Sequence, residues 1–264
     1  MIFEVGDRKV FAATGGQPVR PDRPVAVFLH GAGMDHSVWT LPARYVAHHG
    51  GTALALNLPG HGRSDGPALG SIAALATWVW RVLDAQKITR AFFVGHSMGA
   101  LISLEAARAK PERVAGLMLV GFAPRMPVHP DLLDAAKRND PKAAELIASW
   151  GFGPAGQIGG NQTPGLAMLP LGLRLIQRAP ADTLHADLAA CDAYRDAETA
   201  TIRCPVLLLQ GEADRMAPAK PAASFVAKLP NSEIRLLPGV GHMVHFAAPE
   251  RIVEAIGDVA SGKL

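Results

Sequence analysis

Cysteines, long apolar runs and clusters of basic residues are all scarce in this sequence of 264 residues. Its two cysteines, Cys191 and Cys204, match no metal-ligand spacing and form no disulfide framework, as is typical of reduced thiols in a cytosolic protein. No stretch reaches the roughly 18 apolar residues that a membrane helix requires. Charges occupy residues 1–9, where a signal peptide needs an apolar region. We therefore expect a cytoplasmic protein that does not enter a membrane.

The charge balance disfavours several kinds of partner. The 26 lysines and arginines nearly match the 23 aspartates and glutamates, and no basic run is present, so we expect neither nucleic acid nor a membrane surface as a partner. No two histidines stand four residues apart with an acid between them, which disfavours a metal site. A small-molecule substrate is the expected partner, and the oligomeric state is left open between monomer and homodimer.

Continuous apolar runs alternate with helical patterns along much of the chain. Such runs are typical of strands buried on both faces, and the alternation predicts a mostly parallel α/β sheet covered by helices. The predicted strands are two short ones around Gly6-Asp7, then 25–29, 52–57, 91–94, 114–120, 204–210 and 233–237. Helices are predicted to begin near Asp35 or Ser37, after the N-cap Ser71, after Gly99, at Pro221 and at Pro249.

Residues 124–201 break this alternation. Prolines recur throughout the segment, glycines cluster between Gly151 and Gly165, and no buried strand is predicted. Short helices are expected after Asp140-Pro141 and over residues 182–190. We therefore predict a core domain formed by residues 1–123 and 202–264, with residues 124–201 as a helical insertion over the carboxyl ends of the strands.

The stretch around Ser97 has the pattern of a strand, a sharp turn and a helix. Gly95-His-Ser-Met-Gly99 follows an apolar run and precedes strong helix formers. The two glycines leave no side chains to clash at a strained turn, so the Ser97 hydroxyl is expected to project from the carboxyl end of the sheet. This position suits a nucleophile.

Acyl transfer by a serine needs a base, a carboxylate that orients this base, and donors for the oxyanion. In strand–turn–helix sites the carboxylate and the histidine follow the serine, each in a loop after a later strand. Asp214 and His242 stand in such loops. Glu212 and His245 are the competing acid and base, but the order of the motif favours Asp214, and a glycine turn presents His242 rather than His245.

Backbone N–H groups are the expected oxyanion donors. One belongs to Met98, directly after the nucleophile, and the second to Ala32, in a glycine-containing loop. The side chains of His30 and His61 are expected to hold loops together rather than to react. His96 is expected to pack beside the turn.

Five short motifs lie in the two outer parts of the chain: His30-Gly-Ala-Gly33, Pro59-Gly-His-Gly-Arg-Ser64, Gly95-His-Ser-Met-Gly99, Gly211-Glu-Ala-Asp214 and Gly241-His242. In combination they resemble the α/β-hydrolase family, in particular its esterase-like members with a helical cap. The resemblance implies an eight-stranded sheet with an antiparallel second strand and a cap formed by residues 124–201. Asn57 stands where relatives often have aspartate, which bears on the anchoring of a loop and leaves the triad intact.

The resemblance also implies hydrolysis through an acyl-enzyme on Ser97, without a cofactor. His242 acts first as general base and then as general acid, while Asp214 stabilises its cation. A serine nucleophile disfavours relatives that form alkyl-enzyme esters on aspartate, the dehalogenases and epoxide hydrolases.

The insertion supplies apolar side chains for a binding pocket and few charges. Those expected to contact the substrate are Trp150, Phe152 and Met168, with Leu166 and Leu171 as further candidates. They predict a small, largely apolar acyl or alcohol group. A strongly anionic substrate would need an arginine in the pocket, for which the candidates are Arg125, Arg174 and Arg178.

We thus expect a cofactor-free hydrolase of carboxylic esters or lactones. Carbon–carbon bond hydrolysis of a diketone and perhydrolysis use the same triad. Only substrate profiling distinguishes these two reactions from ester or lactone hydrolysis. The alternative that is not an enzyme is a ligand receptor of the same fold. In such a receptor a triad with slow turnover is kept, and movement of the cap signals to a partner. Turnover of short esters that disappears in Ser97→Ala separates the enzyme from the receptor.

Overall fold

A single eight-stranded sheet runs through the computed structural model, which describes residues 1–158, 167–195, 201–229 and 231–261. The strands are β1 (Ile2–Val5), β2 (Arg8–Ala13), β3 (Val25–Leu29), β4 (Thr52–Leu56), β5 (Ala91–His96), β6 (Val114–Val120), β7 (Val206–Gly211) and β8 (Ser232–Leu237). Their spatial order is β1-β2-β4-β3-β5-β6-β7-β8. Strand β2 is antiparallel to β1 and β4, and the strands from β4 to β8 are parallel, which confirms the predicted sheet.

Several strand ends differ from the sequence prediction by one or two residues, and two of them have a local explanation. Strand β4 ends at Leu56 rather than Asn57, whose side-chain oxygen accepts a hydrogen bond from the His36 N–H at 2.8 Å. Strand β7 begins at Val206 rather than Cys204, since Pro205 has no N–H to donate to a neighbouring strand. The parallel strands therefore keep their predicted centres, and the deviations fall at their ends.

Helices cover both faces of the sheet. Strands β3, β4 and β7 are buried at every residue, as their continuous apolar runs predict. One core includes α2 (Ile72–Ala85) and α3 (Met98–Ala109), and the core on the opposite face includes α1 (Thr40–His48) and α11 (Pro249–Ala260). Within the described part of the chain, no helix combines the length and the apolar character needed to cross a membrane.

Side-chain caps mark the helix starts near the predicted positions. The Ser71 hydroxyl accepts a hydrogen bond from the Ala74 N–H at 3.2 Å and thereby caps α2, as predicted. Asp35 accepts a hydrogen bond from the Ser37 N–H at 2.8 Å. The turn that it caps is a 3-10 turn, His36–Trp39, and α1 begins only after it.

Between β6 and β7 the described residues form helices and no strand. The helices are α4 (Pro130–Lys137), α5 (Lys142–Gly151), α6 (Pro154–Gln157), α7 (Met168–Gln177) and α8 (Thr183–Ala193). Asp140 accepts a hydrogen bond from the Lys142 N–H at 2.9 Å, so it satisfies a donor at the start of α5 even though Pro141 stands at the boundary. Two further helices, α9 (Ala219–Val226) and α10 (Val244–Ala247), follow β7 and β8. Helix α9 starts before Pro221 because proline is tolerated in a first helical turn.

Candidate active site

Ser97 stands at a strained turn between β5 and α3. Its backbone has φ 53° and ψ −116°, a left-handed conformation that costs free energy for any residue with a side chain. A Cβ atom at Gly99 would overlap the carbonyl group of Leu29, and one at Gly95 would overlap the carbonyl group of Gly99. The two glycines of the motif are therefore required by close backbone packing, which fits the sharp turn predicted from the sequence.

Asp214 and His242 are in direct contact. Asp214 Oδ2 lies 2.8 Å from Nδ1 of His242, and both side chains are buried. A carboxylate only accepts hydrogen bonds, so Nδ1 carries the proton and donates it to Asp214. Nε2 is then the basic nitrogen of the neutral ring.

The Asp214 carboxylate is held by three further donors. Oδ1 accepts hydrogen bonds from the N–H groups of Met216 at 2.9 Å and Ala217 at 2.8 Å, and Oδ2 accepts one from Gln210 Nε2 at 2.9 Å. The Gln210 amide is itself fixed, because its Oε1 accepts a hydrogen bond from the Phe122 N–H at 2.9 Å. Sequence reasoning missed Gln210, although a glutamine in the apolar strand β7 is a signal of a buried polar role.

Neither competing residue occupies this position. Glu212 is exposed to solvent. His245 is buried, and neither of its ring nitrogens has a hydrogen-bond partner within the described part of the chain. Burial, and then the nearby His242, lower the pKa of His245 to about 3, so its ring is neutral. His245 packs at 4.3 Å, centroid to centroid, against His96 and serves as a packing residue.

His96 holds the backbone of His242 in place. Its Nε2 lies 3.0 Å from the His242 carbonyl oxygen, so this nitrogen carries the proton and donates it. Burial, followed by the neighbouring His245 and His242, holds the pKa of His96 well below its ordinary value. His96 therefore packs beside the turn as a neutral ring, in agreement with the prediction.

Ser97 and His242 line the same cavity, which has a volume of about 360 Å³. Most of its other lining residues are apolar: Ala32, Met34, Met126, Pro127, Val128, Leu132, Ile147, Trp150, Leu188, Met216 and Met243. Several of them belong to the helical segment between β6 and β7, so this segment lies over the carboxyl ends of the central strands. The polar residues of the lining besides Ser97 and His242 are His96, His129, Cys191 and Arg215.

The two predicted oxyanion donors are both available. Ala32 lines the cavity, and Met98 is the first residue of α3, whose amino end carries partial positive charge. Neither backbone N–H donates to an acceptor in the part of the chain that the structure describes. The next N–H along the Ala32 loop, that of Gly33, is engaged by Asp187.

Of the predicted substrate contacts, Trp150 lines this cavity, whereas the structure does not bring Phe152 and Met168 to it. Phe152 follows the last turn of α5, its ring lies 5.9 Å from that of Phe246, and it lines a separate cavity together with Met168. Leu171 is exposed, and Leu166 lies outside the described residues. A contact of Phe152 or Met168 with substrate in the Ser97 cavity is thus not supported.

The arginine in the lining was not among the sequence candidates. Arg125, Arg174 and Arg178 do not line the cavity of Ser97, whereas Arg215, directly after Asp214, does. Its position could have been inferred from the sequence, because a residue next to the predicted acid lies close to the predicted site. The loop that carries the predicted acid therefore also supplies a positive charge.

The loop histidines have the structural roles expected of them. His30 Nε2 accepts a hydrogen bond from the Leu58 N–H at 3.2 Å, while its Nδ1 lies 2.9 Å from the Gly31 carbonyl. His61 Nδ1 lies 3.0 Å from the Pro59 carbonyl. The bond between His30 and Leu58 joins the loop after β3 to the loop after β4, and each of the other two contacts lies within one loop.

The two thiols are free and buried. Burial, and then Asp187 and Asp192, raise the pKa of Cys191 far above its ordinary value, so this cavity-lining thiol is no nucleophile at neutral pH. Across the described ranges, no group of three or more histidine, cysteine, aspartate or glutamate residues is placed to hold a metal ion. Ser97 is thus the best nucleophile among the residues that line the cavity.

Comparison with known proteins shows the family. The model of the alpha/beta hydrolase family matches residues 26–255. The chain therefore belongs to the alpha/beta hydrolase family.

Three relatives illustrate what the chain is similar to. The dihydrolipoyllysine-residue acetyltransferase component of the acetoin cleaving system of Pseudomonas putida is 31% identical, over 94% of this chain and 66% of that longer protein. A pimeloyl-[acyl-carrier protein] methyl ester esterase of Yersinia enterocolitica is 26% identical, over 89% of this chain and 92% of that protein. The solved structure of a thermophilic esterase is 28% identical with a TM-score of 0.80, over 99% and 97% of the two chains. The esterases among these relatives support hydrolase activity on esters.

Proposed function

We propose that this protein is a serine hydrolase that cleaves a small carboxylic ester or lactone through an acyl-enzyme on Ser97. The observation that carries the proposal is the convergence of Ser97 and His242 on one apolar cavity, with Asp214 hydrogen-bonded to the far side of the imidazole. A nucleophile, a base and an orienting acid are the parts that acyl transfer requires. The esterase relatives support the same reaction class.

In the proposed reaction, Ser97 Oγ attacks the ester carbonyl carbon while its proton passes to Nε2 of His242. The carbonyl oxygen becomes an oxyanion that accepts hydrogen bonds from the N–H groups of Met98 and Ala32. Collapse of this intermediate breaks the bond to the alcohol oxygen, which takes the proton from His242. Water then attacks the acyl-enzyme by the same route, and the carboxylic acid leaves with Ser97 restored.

The helical segment, residues 124–201, is proposed as a cap on a core of residues 1–123 and 202–264. Its described side chains supply the apolar wall of the cavity opposite Ser97, from Met126 through Trp150 to Leu188. Such a wall favours a short apolar acyl or alcohol group. The reaction needs no cofactor.

A substrate panel tests the proposal. We expect the wild-type enzyme to turn over short-chain p-nitrophenyl esters or small lactones faster than vinylogous diketones, measured as kcat/KM with buffer blanks. Faster cleavage of the diketones would contradict ester hydrolysis as the proposed function and would favour carbon–carbon bond hydrolysis. Negligible turnover of the whole panel, combined with ligand-dependent binding of a partner, would favour a receptor.

Arg215 is proposed to favour esters that also carry a free carboxylate group. Its side chain is exposed at the cavity, which has no aspartate or glutamate among its described lining residues. In Arg215→Gln we expect the preference for mono-p-nitrophenyl glutarate over p-nitrophenyl pentanoate, as a ratio of kcat/KM values, to fall by about twofold to fivefold, the range for a solvent-exposed ion pair.

The matched control is Arg174→Gln, because Arg174 is an exposed arginine of α7 that does not line the cavity. We expect it to leave the ratio unchanged. An equal fall in both variants, or no fall in Arg215→Gln, would show that Arg215 does not select the substrate.

A further inference from the structure

A buried carboxylate connects α8 to the loop that carries Ala32. Asp187 lies in the middle of α8 and is fully buried. Its Oδ2 accepts a hydrogen bond from the Gly33 N–H at 2.9 Å and lies 2.7 Å from Nε2 of His61. Asp187 Oδ1 has no partner in the described part of the chain. One carboxylate oxygen therefore joins the helical segment to two loops of the sheet.

The bonds of His61 fit a doubly protonated ring. Nε2 faces the Asp187 carboxylate, and Nδ1 faces the Pro59 carbonyl at 3.0 Å. With Asp187 ionised, both partners only accept hydrogen bonds, so both ring nitrogens donate, which an imidazole does only as a cation. A buried carboxylate likewise needs an opposite charge to offset its desolvation. Geometry thus assigns an imidazolium–carboxylate pair.

The charges around the pair agree with this assignment. Burial alone would lower the pKa of His61, but the charge and hydrogen bond of Asp187, with the carbonyls of Pro59 and Leu58, raise it above 6.5. The other titratable groups that face the pair are His30, whose ring lies 4.7 Å from that of His61, and the Cys191 thiol near Asp187. Burial and the charge of His61 hold the pKa of His30 well below its ordinary value, so His30 stays neutral.

The Gly33 N–H is adjacent to the proposed oxyanion donor. It belongs to the peptide unit between Ala32 and Gly33, so a hydrogen bond to it restricts rotation of the backbone next to the Ala32 N–H. Gly33 has φ +66°, and a Cβ atom there would lie 2.9 Å from Cδ1 of Leu184 on α8. The loop thus packs directly against the helix from which Asp187 reaches it.

We propose that Asp187, paired with His61, is a positioning residue that fixes the Ala32 loop for oxyanion binding and makes its geometry depend on the docking of α8. The inference rests on the proposed function, because it assigns Ala32 as an oxyanion donor. The Asp187 carboxylate does not contact the substrate in this proposal. It fixes the orientation of the Ala32 N–H group, which does contact the substrate.

Asp187→Asn tests the proposal because it keeps the shape of the side chain and removes the charge. We expect kcat on a p-nitrophenyl ester to fall by about tenfold to 100-fold, with KM changed by less than about threefold, since a displaced oxyanion donor affects the transition state more than the ground state. Assays run well below the thermal midpoint of each variant separate this effect from unfolding. Asp182→Asn, at the exposed amino end of α8, is the matched control and should keep wild-type kcat.

Nuclear magnetic resonance of ¹⁵N-histidine protein provides a readout that does not depend on activity. The His61 signal, assigned by its loss in His61→Gln, should show a doubly protonated ring with a pKa above 6.5 in the wild type. In Asp187→Asn this pKa should fall below 6.5, because burial is then no longer offset.

Two results would overturn the inference: a neutral His61 in the wild type at pH 6.5, or an unchanged kcat in Asp187→Asn. If Asp187 had a purely structural role, Asp187→Asn would have a lower thermal midpoint and an unchanged kcat. That outcome is the second of these two results. A wild type without Ser97-dependent turnover would instead overturn the proposed function and with it the role of Ala32, whereas the pKa of His61 would still decide the ion pair.

Discussion

Replacement of Ser97 by alanine is expected to lower the hydrolysis of short p-nitrophenyl esters by about 10⁴-fold or more. The substitution removes the oxygen that forms the acyl-enzyme, and the described lining of the cavity offers no second serine, threonine or ionised cysteine, because the pKa of the Cys191 thiol is raised by burial. The measurement is kcat/KM by release of p-nitrophenol. Mass spectrometry after treatment with a fluorophosphonate should show one adduct in the wild type and none in the variant.

Ser103→Ala is the matched control for this loss. Ser103 is a buried serine on α3, but its hydroxyl donates to the Gly99 carbonyl at 2.8 Å and does not line the cavity. We expect it to retain turnover within a few-fold of the wild type and to form the adduct. Substantial turnover by Ser97→Ala would rule out an acyl-enzyme on this residue.

Asp214→Asn is expected to reduce kcat by about 10⁴-fold while the protein stays folded. Oδ1 of Asp214 accepts two backbone N–H groups that cannot turn away, so the amide oxygen of asparagine takes that place. The NH₂ group then faces Nδ1 of His242, which must give up its proton to accept a hydrogen bond. The proton moves to Nε2, and His242 can no longer take the proton of Ser97.

Glu212→Gln provides the comparison within the same loop, because this side chain is exposed two residues before Asp214. We expect the kcat of Glu212→Gln to be close to that of the wild type. The two proteins should have equal thermal midpoints in differential scanning calorimetry. If Glu212→Gln proved as damaging as Asp214→Asn, the assignment of the orienting acid would be wrong.

The sheet could be predicted from the sequence because its strands are buried on both faces. A strand such as β3, with every residue buried, must be a continuous apolar run, and this signal is local. The antiparallel second strand came from the resemblance to a family, because β2 has no long apolar run of its own. Within the sheet, errors are confined to strand ends, for example at Pro205, where the chemistry of a single residue decides the boundary.

The proposed triad could be predicted because motif order places each member in a loop after a strand. The residues that hold the proposed triad and the Ala32 loop in place could not be predicted. Gln210 and Asp187 act through partners that are distant in sequence, Phe122 and Gly33, so no local pattern identifies these partners. Phe152 was predicted to contact substrate from its apolar character alone, but that character equally suits the packing against Phe246 that the structure shows.

The long interval between β6 and β7 has a consequence for synthesis on the ribosome. Strand β6 pairs with β5 on one side and with β7 on the other, yet residues 121–205 must be translated before β7 exists. At about 5–20 residues per second this leaves the uncharged edge Val114–Val120 without its neighbour for several seconds. An unpaired apolar edge invites pairing with other chains, so the nascent protein should depend on chaperones during this interval.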